Sequence, residues 1–326
     1  MKAAVVTSFG APPRYADFPA PVASGPHDLV VDVLAAGLHP RVRSQANGSH
    51  YTSTGDLPLV PGIDGVGRDA DGQLRYFILE HTTLGTIAEQ TLTDDRRSVV
   101  LPAGTDPVAV AAAINPAMSS WLALRYRTDF RAGQDVLIQG ATGSAGRMAV
   151  SVAKLFGARR IIAAGRNAER LAGASALGAT ETVSLNGTSD EVRARLASAA
   201  AEVDVVLDYV WGEAAAAAMA AIITARPDKS KPLTWIAIGS MGGLTAPVPS
   251  AALRAARFTI VGSGQGSVGT GEIIAALPGL AQAITAGDLA VDARTVPLAD
   301  VERAWSESKD STQRVVITPG AGPRLT

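Results

Sequence analysis

Residues 136–157 read VLIQGATGSAGRMAVSVAKLFG, and they carry the strongest indication of how the chain folds. The largely apolar run VLIQG (136–140) ends at a glycine and is predicted to be a buried strand. From Gly146 to Phe156 the apolar residues recur at helical spacing, and Gly157 is placed to end that helix. The stretch therefore predicts a strand that runs through a short turn into a helix.

The turn between this strand and this helix carries glycines at a spacing that suits a bound pyrophosphate. Gly143 permits close approach of the backbone to a phosphate, and Gly146 lets the helix lie against the strand. The strict pattern G-x-G-x-x-G would require glycine at position 141, where this chain has alanine. An ordinary strand–helix turn is the alternative. The residues expected to meet the phosphates at the helix N-terminus are Thr142, Gly143, Ser144, Ala145 and Gly146.

The end of the next strand selects the cofactor. RRIIAAG (159–165) is that predicted strand, and Gly165 is followed by Arg166. Enzymes that use NAD place an acidic residue about 20 positions after the last glycine of the turn, where it binds the ribose 2′-hydroxyl. Here that position is Arg166, whose guanidinium would pair with a 2′-phosphate, and Arg170 lies one helical turn later. The sequence predicts NADP(H) rather than NAD(H), with solvated surface arginines as the alternative.

The rest of the chain follows two patterns. Residues 1–115 are rich in Gly and Pro with short β-branched runs, whereas strands and helices alternate from 116 to 265, which predicts a doubly wound parallel α/β sheet. Thr188 and Glu191 form a capping box before one of these helices. Further strands are expected at 181–185, 204–210, 234–239, 258–263 and 313–319, and further helices at 167–177, 190–201, 213–223, 270–287 and 301–308.

Composition excludes several classes of function. The chain of 326 residues is long enough for two domains, and its net charge of −1 gives no electrostatic reason to bind nucleic acid or an anionic membrane. It contains no cysteine, so disulfides, thiolate zinc sites and cysteine nucleophiles are excluded. Because no run of about 20 uninterrupted apolar residues exists, we expect a soluble cytoplasmic protein.

The order of motifs resembles the medium-chain dehydrogenase/reductase superfamily, in its zinc-free quinone oxidoreductase branch. The resemblance is carried by MKAAVVTSFG (1–10), AAGLHP (35–40), LPLVPGIDGVG (57–67), GTIAEQ (85–90), AAAINPAMSSWLAL (111–124), AIGSMGG (237–243) and RVVITP (314–319). It implies a Rossmann NADP-binding domain at 116–265. It also implies a GroES-like, partly closed β-barrel catalytic domain at 1–115, completed by 266–326, with the nicotinamide in the cleft between the two.

The resemblance also implies residues near the nicotinamide. Ser119 stands where relatives have a threonine that contacts this ring, and Gly239, Ser240 and Met241 would flank the ring with backbone groups. The expected catalytic residues are His39, Ser44, His50 and Tyr51, at or near positions where relatives carry an asparagine and tyrosines. His39 could bind a substrate carbonyl or donate a proton, or it could be a histidine satisfied by backbone groups.

Zinc is not expected. The zinc-dependent relatives hold the metal with three ligands, and the corresponding positions here are His39, Ile63 and Asp64. Isoleucine cannot coordinate a metal, and a catalytic zinc site normally needs three protein ligands. The predicted set of metal ligands is therefore empty.

The predicted function is NADPH-dependent hydride transfer to a quinone or a similar conjugated carbonyl. Two alternatives stay open, namely an enoyl reductase acting on α,β-unsaturated ketones and an NADPH-binding protein with little catalysis. A homodimer is expected, because the late strand at 258–263 would lie at an exposed sheet edge.

Overall fold

The computed structural model describes residues 1–49, 53–80, 82–308 and 313–320. These residues divide into two compact units, which we call the mixed-sheet unit and the parallel-sheet unit. The mixed-sheet unit consists of Met1–Asn115 and the segment from Leu277 onward, and the parallel-sheet unit is Pro116–Ala276. The second boundary between the units was predicted after residue 265, whereas in the structure it follows Ala276.

The regular elements are numbered here in chain order. The strands are β1 (Lys2–Val5), β2 (Arg14–Asp17), β3 (Asp28–Leu38), β4 (Asp64–Arg68), β5 (Leu74–Ile78), β6 (Gln90–Asp94), β7 (Ser98–Val100), β8 (Asp135–Gln139), β9 (Arg160–Gly165), β10 (Glu181–Ser184), β11 (Val205–Asp208), β12 (Leu233–Ala237), β13 (Phe258–Gly262), β14 (Ala293–Pro297) and β15 (Arg314–Thr318). The helices are α1 (Pro40–Ala46), α2 (Pro107–Tyr126), α3 (Ser144–Leu155), α4 (Ala168–Ala172), α5 (Ala174–Leu177), α6 (Ser189–Ala200), α7 (Gly212–Ala225), α8 (Ser250–Ala255), α9 (Thr270–Thr285) and α10 (Val301–Glu307).

The parallel-sheet unit is built on six strands in the order β10-β9-β8-β11-β12-β13. Every neighbouring pair is parallel. Counted within the unit, this is the order 3-2-1-4-5-6, so the direction of winding reverses between β8 and β11. Ligands of such sheets bind beyond the carboxyl ends of the strands at this reversal. The predicted doubly wound sheet is confirmed.

The helices of this unit pack on the sheet through an apolar core. The core includes Leu137 of β8, Ile162 of β9 and Trp235 of β12, all fully buried. The predicted capping box of α6 is confirmed, since both of its hydrogen bonds form. The helix predicted at 167–177 is in fact two helices, because it breaks at Gly173, and glycine is a poor helix former.

The mixed-sheet unit contains a seven-stranded sheet. Its order is β14-β15-β3-β4-β5-β7, and β6 also pairs with β3. The pair β14–β15 is parallel and the other pairs are antiparallel. Together with the parallel-sheet unit, this gives the predicted α/β class, with a separate mixed sheet in the unit for which the resemblance implies a GroES-like, partly closed β-barrel.

Helix α2 is long and apolar enough to cross a membrane by length and composition alone, with a mean hydropathy of 1.3. About two thirds of its most apolar window, 67%, is buried inside the fold. A core helix of a globular domain passes the same test, and burial of this extent is what such a helix shows. Pro116, within α2, marks the division between the two units.

Candidate functional site

The predicted phosphate-binding turn connects β8 to α3. Gly140 adopts φ +85°, a left-handed conformation that favours glycine. The amide N–H groups of Gly140 and Ala141 both donate to the carbonyl of Ala164 in β9, at 3.0 and 2.9 Å. The Gly143 N–H donates to the Gly140 carbonyl at 3.1 Å. These bonds fix a tight turn that leads directly into the first turn of α3.

The N-terminus of α3 suits an anion. Gly143 is its N-cap and supplies no side-chain cap, and the first turn carries no acidic residue. The first N–H groups of a helix lack intrahelical partners, so here they remain available to a ligand. A Cβ atom at Gly146 would overlap the Gly140 carbonyl, which shows why the helix can approach the strand only with glycine there. Ser144 and Ala145, which begin the helix, are half-buried.

Two arginines lie beyond the end of β9, beside this turn. Arg166 follows Gly165 directly, is exposed, and forms no ion pair with any residue that the structure describes. Arg170, in α4, donates from Nη1 to the carbonyl of Thr142 at 3.1 Å. The side chain of Thr142 in turn faces the Cα of Gly165. The structure thus brings Arg170 to the turn and leaves the Arg166 guanidinium without an acidic partner among the described residues.

Asn186, which the sequence reasoning missed, fixes the backbone beside Arg166. Its Nδ2 donates to the carbonyl of Arg166 at 2.7 Å, and the Leu185 N–H donates to the carbonyl of Gly165 at 2.9 Å. The order of the strands could have indicated Asn186. It follows β10, the neighbour of β9, and the carboxyl ends of neighbouring parallel strands lie at the same edge of the sheet.

A second group of predicted residues lies at the winding reversal of the sheet. The oxygen atoms of Ser119 and Tyr209 are 2.9 Å apart, and Tyr209 directly follows β11. The Met241 N–H donates to the Tyr209 carbonyl at 3.4 Å, and a Cβ atom at Gly239 would lie 2.9 Å from the same oxygen. Ser240 and Met241 are exposed. The structure therefore brings Ser119 and the segment 239–241 together around a tyrosine that the sequence reasoning did not select.

Asp208 is the buried carboxylate that shapes this region. Its Oδ1 accepts the N–H groups of Val210 and Trp211 at 2.8 and 3.0 Å, and its Oδ2 accepts from Trp235 Nε1 at 2.9 Å. Burial raises the pKa of Asp208, and these three hydrogen bonds only partly oppose the rise. Trp211 has φ +55°, a rare conformation for a bulky side chain. Asp208 thus holds a strained turn directly after Tyr209.

The mixed-sheet unit contains a separate buried polar cluster. His39 Nε2 lies 3.0 Å from Asp64 Oδ1, and Tyr76 donates from its hydroxyl to Asp64 Oδ2 at 2.8 Å. Burial lowers the pKa of His39, more than the bond to Asp64 raises it. Burial alone would raise the pKa of Asp64, but the bonds from His39 and Tyr76 outweigh it and hold this pKa below its usual value.

These pKa directions assign the protons of the cluster. A neutral His39 beside an ionised Asp64 donates from Nε2, and its Nδ1 then has no proton to give. The Arg314 guanidinium, whose pKa burial lowers to about 10, is attracted to Asp64. His39 is only 2% exposed and is satisfied by a side chain rather than by backbone groups. The sequence reasoning missed this partner.

The other predicted catalytic residues are placed as follows. Ser44 is half-buried in α1 and donates to the carbonyl of Arg41 at 3.0 Å. His50 and Tyr51 lie outside the described residues. The catalytic role of His50 and Tyr51 therefore stays a prediction.

The residues at the positions of the zinc ligands in relatives do not fit a zinc ion. His39 and Asp64 are bonded to each other, and Ile63 packs in the apolar core of its unit. In the described parts of the chain, the only group of three candidate ligands is His27, Asp94 and Asp95, at the surface. Asp94 there already binds Arg96 through both of its carboxylate oxygens.

The fold and the phosphate turn are typical of α/β proteins that bind dinucleotides, and comparison with known proteins names the family. A family profile described as zinc-binding dehydrogenase matches residues 145–281, a range that contains neither His39 nor Asp64. A probable NADPH-dependent quinone reductase of Emericella nidulans, tdiC, is 30% identical over 98% of this chain and 100% of its own. The chain belongs to the medium-chain dehydrogenase/reductase superfamily, in its quinone oxidoreductase-like branch, and is an oxidoreductase.

Two further relatives show the breadth of this branch. The quinone oxidoreductase from Thermus thermophilus, which has also been solved with NADPH, superposes with a TM-score of 0.80. It is 27% identical and matches 98% of this chain and 100% of its own. A trans-enoyl reductase of Aspergillus terreus, pgmF, is 27% identical over 41% of this chain and 42% of its own.

Proposed function

We propose that this protein is an NADPH-dependent reductase that transfers a hydride to a quinone or a similar conjugated carbonyl. The observation that carries the proposal is the exposed Arg166 side chain directly after β9, which forms no ion pair with any described residue. The preceding residue, Gly165, lies against Thr142 of the phosphate turn. An acidic residue at position 166 would repel a 2′-phosphate, whereas a guanidinium binds it. The named reductases that this chain resembles support the same cofactor.

The residues at the turn would hold the cofactor at its phosphates. The N–H groups of Ser144, Ala145 and Gly146 would bind the pyrophosphate, with Thr142 and Gly143 lining the turn. Arg166 and Arg170 would bind the 2′-phosphate, and Gly165 lets the Thr142 side chain of the turn approach the end of β9 closely. When bound, the nicotinamide supplies the hydride.

The nicotinamide end would lie at the winding reversal, where Ser119 and the segment from Gly239 to Met241 meet. These groups would orient the ring, and orientation is the main contribution that the protein makes to hydride transfer. A quinone that accepts a hydride gains aromaticity, so the reaction needs no strong acid from the protein. We propose that His39 stabilises the fold through Asp64, and that Ser44, His50 and Tyr51 contact the substrate.

A direct test follows NADPH oxidation at 340 nm with a panel of quinones and enones. Rapid oxidation with quinones supports the proposal. A strong preference for enones would favour an enoyl reductase, the second candidate, which the similarity to pgmF supports. Tight NADPH binding without turnover on any acceptor would favour a non-catalytic NADPH-binding protein.

We further propose that no zinc takes part. Prolonged dialysis against a chelator, followed by metal analysis, should leave less than one zinc per chain and the full rate of NADPH oxidation. A loss of rate that added zinc restores would overturn this part of the proposal.

The proposed assembly is a homodimer. β13 is the last strand of the parallel sheet, and none of the described strands pairs with its outer edge. Elsewhere in the same unit, Met241 and Leu244 are 85% and 87% exposed, which is unusual for large apolar side chains. Elution of the pure protein at twice the monomer mass would support this assembly, and elution at 33.3 kDa would contradict it.

The remaining partners are proposed from charge and from the relatives. With a net charge of −1, the chain is expected to bind a small apolar substrate rather than nucleic acid or a membrane surface. We also propose a cytoplasmic location. Fractionation of cell extracts, with the protein in the soluble fraction, tests this point.

A further inference from the structure

Tyr209 occupies the point where the three segments of the proposed nicotinamide end converge. A Cβ atom at Gly140 would lie 3.2 Å from the Cβ atom of Tyr209, so the tyrosine borders the phosphate turn. On its other side, the Tyr209 carbonyl contacts Gly239 and accepts the Met241 N–H. Its hydroxyl reaches Ser119 in α2. The Tyr209 side chain therefore connects the end of β11 to α2.

The proton on each hydroxyl can be assigned by counting donors. Ser119 Oγ lies 2.9 Å from the Pro116 carbonyl, which can only accept, so the single serine proton is used there. Because Ser119 has no second proton, its 2.9 Å contact with Tyr209 is one in which Tyr209 donates. Ser120 also interacts with the Tyr209 hydroxyl, and its own proton is donated to the Ala117 carbonyl at 3.2 Å. Burial raises the pKa of Tyr209 to about 12, so this proton stays in place at neutral pH. Tyr209 is 9% exposed, so water has little access to compete for it.

The pair therefore has a defined polarity toward a ligand. Both protons are engaged inside the protein, and the lone pairs that remain on the two oxygens can only accept. Such a pair is complementary to an N–H donor and not to a carbonyl oxygen. A ligand that placed a carbonyl here would have to break one of the two existing bonds.

We propose that Tyr209 is a positioning residue that fixes Ser119 as the acceptor for the amino group of the nicotinamide carboxamide. The inference rests on the proposed NADPH binding and deepens it. Tyr209 acts through Ser119. Without the Tyr209 hydroxyl, no donor would fix the direction in which the remaining lone pair of Ser119 Oγ faces the ligand. The direction of the carboxamide then sets the rotation of the ring.

The experiment compares NADP⁺ with its 3-acetylpyridine analogue, in which a methyl group replaces the amino group. Wild-type protein should bind NADP⁺ about three- to tenfold more tightly than the analogue, the range expected for one neutral hydrogen bond. In Tyr209→Phe this preference should shrink to less than about twofold. Calorimetry measures both affinities for each protein.

Three controls separate positioning from damage to the fold. Adenosine 2′,5′-bisphosphate, which lacks the nicotinamide, should bind Tyr209→Phe as tightly as wild type. Tyr126→Phe, a matched change in a half-buried tyrosine of α2, should keep the full preference for NADP⁺. Ser119→Ala should lose the preference as Tyr209→Phe does, and it provides the same measurement should Tyr209→Phe fail to fold.

The outcomes are distinguishable. Binding of the bisphosphate together with an unchanged preference for NADP⁺ in Tyr209→Phe overturns the inference and leaves the proposed function intact. Equal affinity of wild type for NADP⁺ and the analogue also overturns it. Failure of the bisphosphate to bind wild type overturns the proposed function, and this inference with it.

Discussion

The phosphate turn and the buried polar cluster are built in opposite ways. The turn is made of backbone groups that lie within residues 140–146, and its N–H donors at the start of α3 are left without side-chain caps. The cluster is made of side chains that are far apart in the chain, His39, Asp64, Tyr76 and Arg314, and its carboxylate is satisfied internally. The difference fits our proposal that the first region binds a ligand, whereas the second stabilises its own unit.

The largest effect should follow from removing the carboxylate of the cluster. Asp64→Ala is expected to reduce the free energy of unfolding by about 3–5 kcal/mol, because His39, Tyr76 and the buried Arg314 lose their common partner. Denaturation by urea measures the change. Asp71→Ala, an exposed acidic residue of the same unit, should change the stability by less than about 0.5 kcal/mol. A loss below about 1 kcal/mol for Asp64→Ala would show that the cluster does not stabilise the fold.

An added methyl group should lower the stability of the protein at Gly146 but not at Gly143. Gly146→Ala is expected to reduce stability by about 1–3 kcal/mol, because the new methyl group overlaps the Gly140 carbonyl. Gly143→Ala should keep the stability, since its Cβ would lie 3.5 Å from that oxygen, an ordinary contact. It should still weaken NADPH binding by hindering the approach of the phosphates. Equal stability of the two variants would contradict the packing argument.

Arg166, proposed to bind the 2′-phosphate, directly follows β9, and a matched control lies at the start of that strand. Arg166→Ala should weaken NADPH binding by about 10- to 100-fold, the range for a charge-assisted hydrogen bond, and should leave NADH binding unchanged. Arg160 lies at the opposite end of β9, where it pairs with Glu181. Arg160→Ala should therefore leave both affinities unchanged. Similar losses for NADPH and NADH in Arg166→Ala would refute the assignment.

The polar cluster should make stability depend on pH. The pKa of His39 is lowered in the folded protein, whereas in the unfolded chain it has the ordinary value of 6.5. Below pH 6.5 the unfolded chain therefore binds a proton at His39 more readily than the folded protein does. Stability should therefore fall as the pH decreases through about 6.5, by up to about 1.4 kcal/mol per pH unit for one proton. The lowered pKa of Asp64 extends this loss to acidic pH in the same direction. His39→Gln should reduce the change of the free energy of unfolding with pH near pH 6. Urea denaturation at several pH values between 5 and 7 measures this, and a pH dependence equal to that of wild type would contradict the prediction.

The smallest effect is expected at Arg170. One of its nitrogens already bonds the Thr142 carbonyl, so only part of its donor capacity is available to a phosphate. Arg170→Ala should weaken NADPH binding about three- to fivefold, less than Arg166→Ala, and should also loosen the turn. Fluorescence titration with NADPH measures the change, and a larger loss than for Arg166→Ala would reverse the proposed roles of the two arginines.

The same contrast explains how much the sequence could predict. The strand–turn–helix, the capping box at Thr188 and the doubly wound sheet follow from local spacing, because a backbone site depends on glycines close together in the chain. The partners of His39 could not be found this way. Asp64 and Tyr76 reach it only through the pairing of β3 with β4 and of β4 with β5, which local patterns do not specify. Tyr209 was missed for the same reason, since its partner Ser119 lies in another element.

A calorimetric titration of the purified chain with NADPH and, separately, with NADH tests most directly whether Arg166 and Arg170 bind a 2′-phosphate. We expect NADPH to bind at least about tenfold more tightly, because only NADPH carries that phosphate. Equal affinities, or tighter binding of NADH, would contradict it.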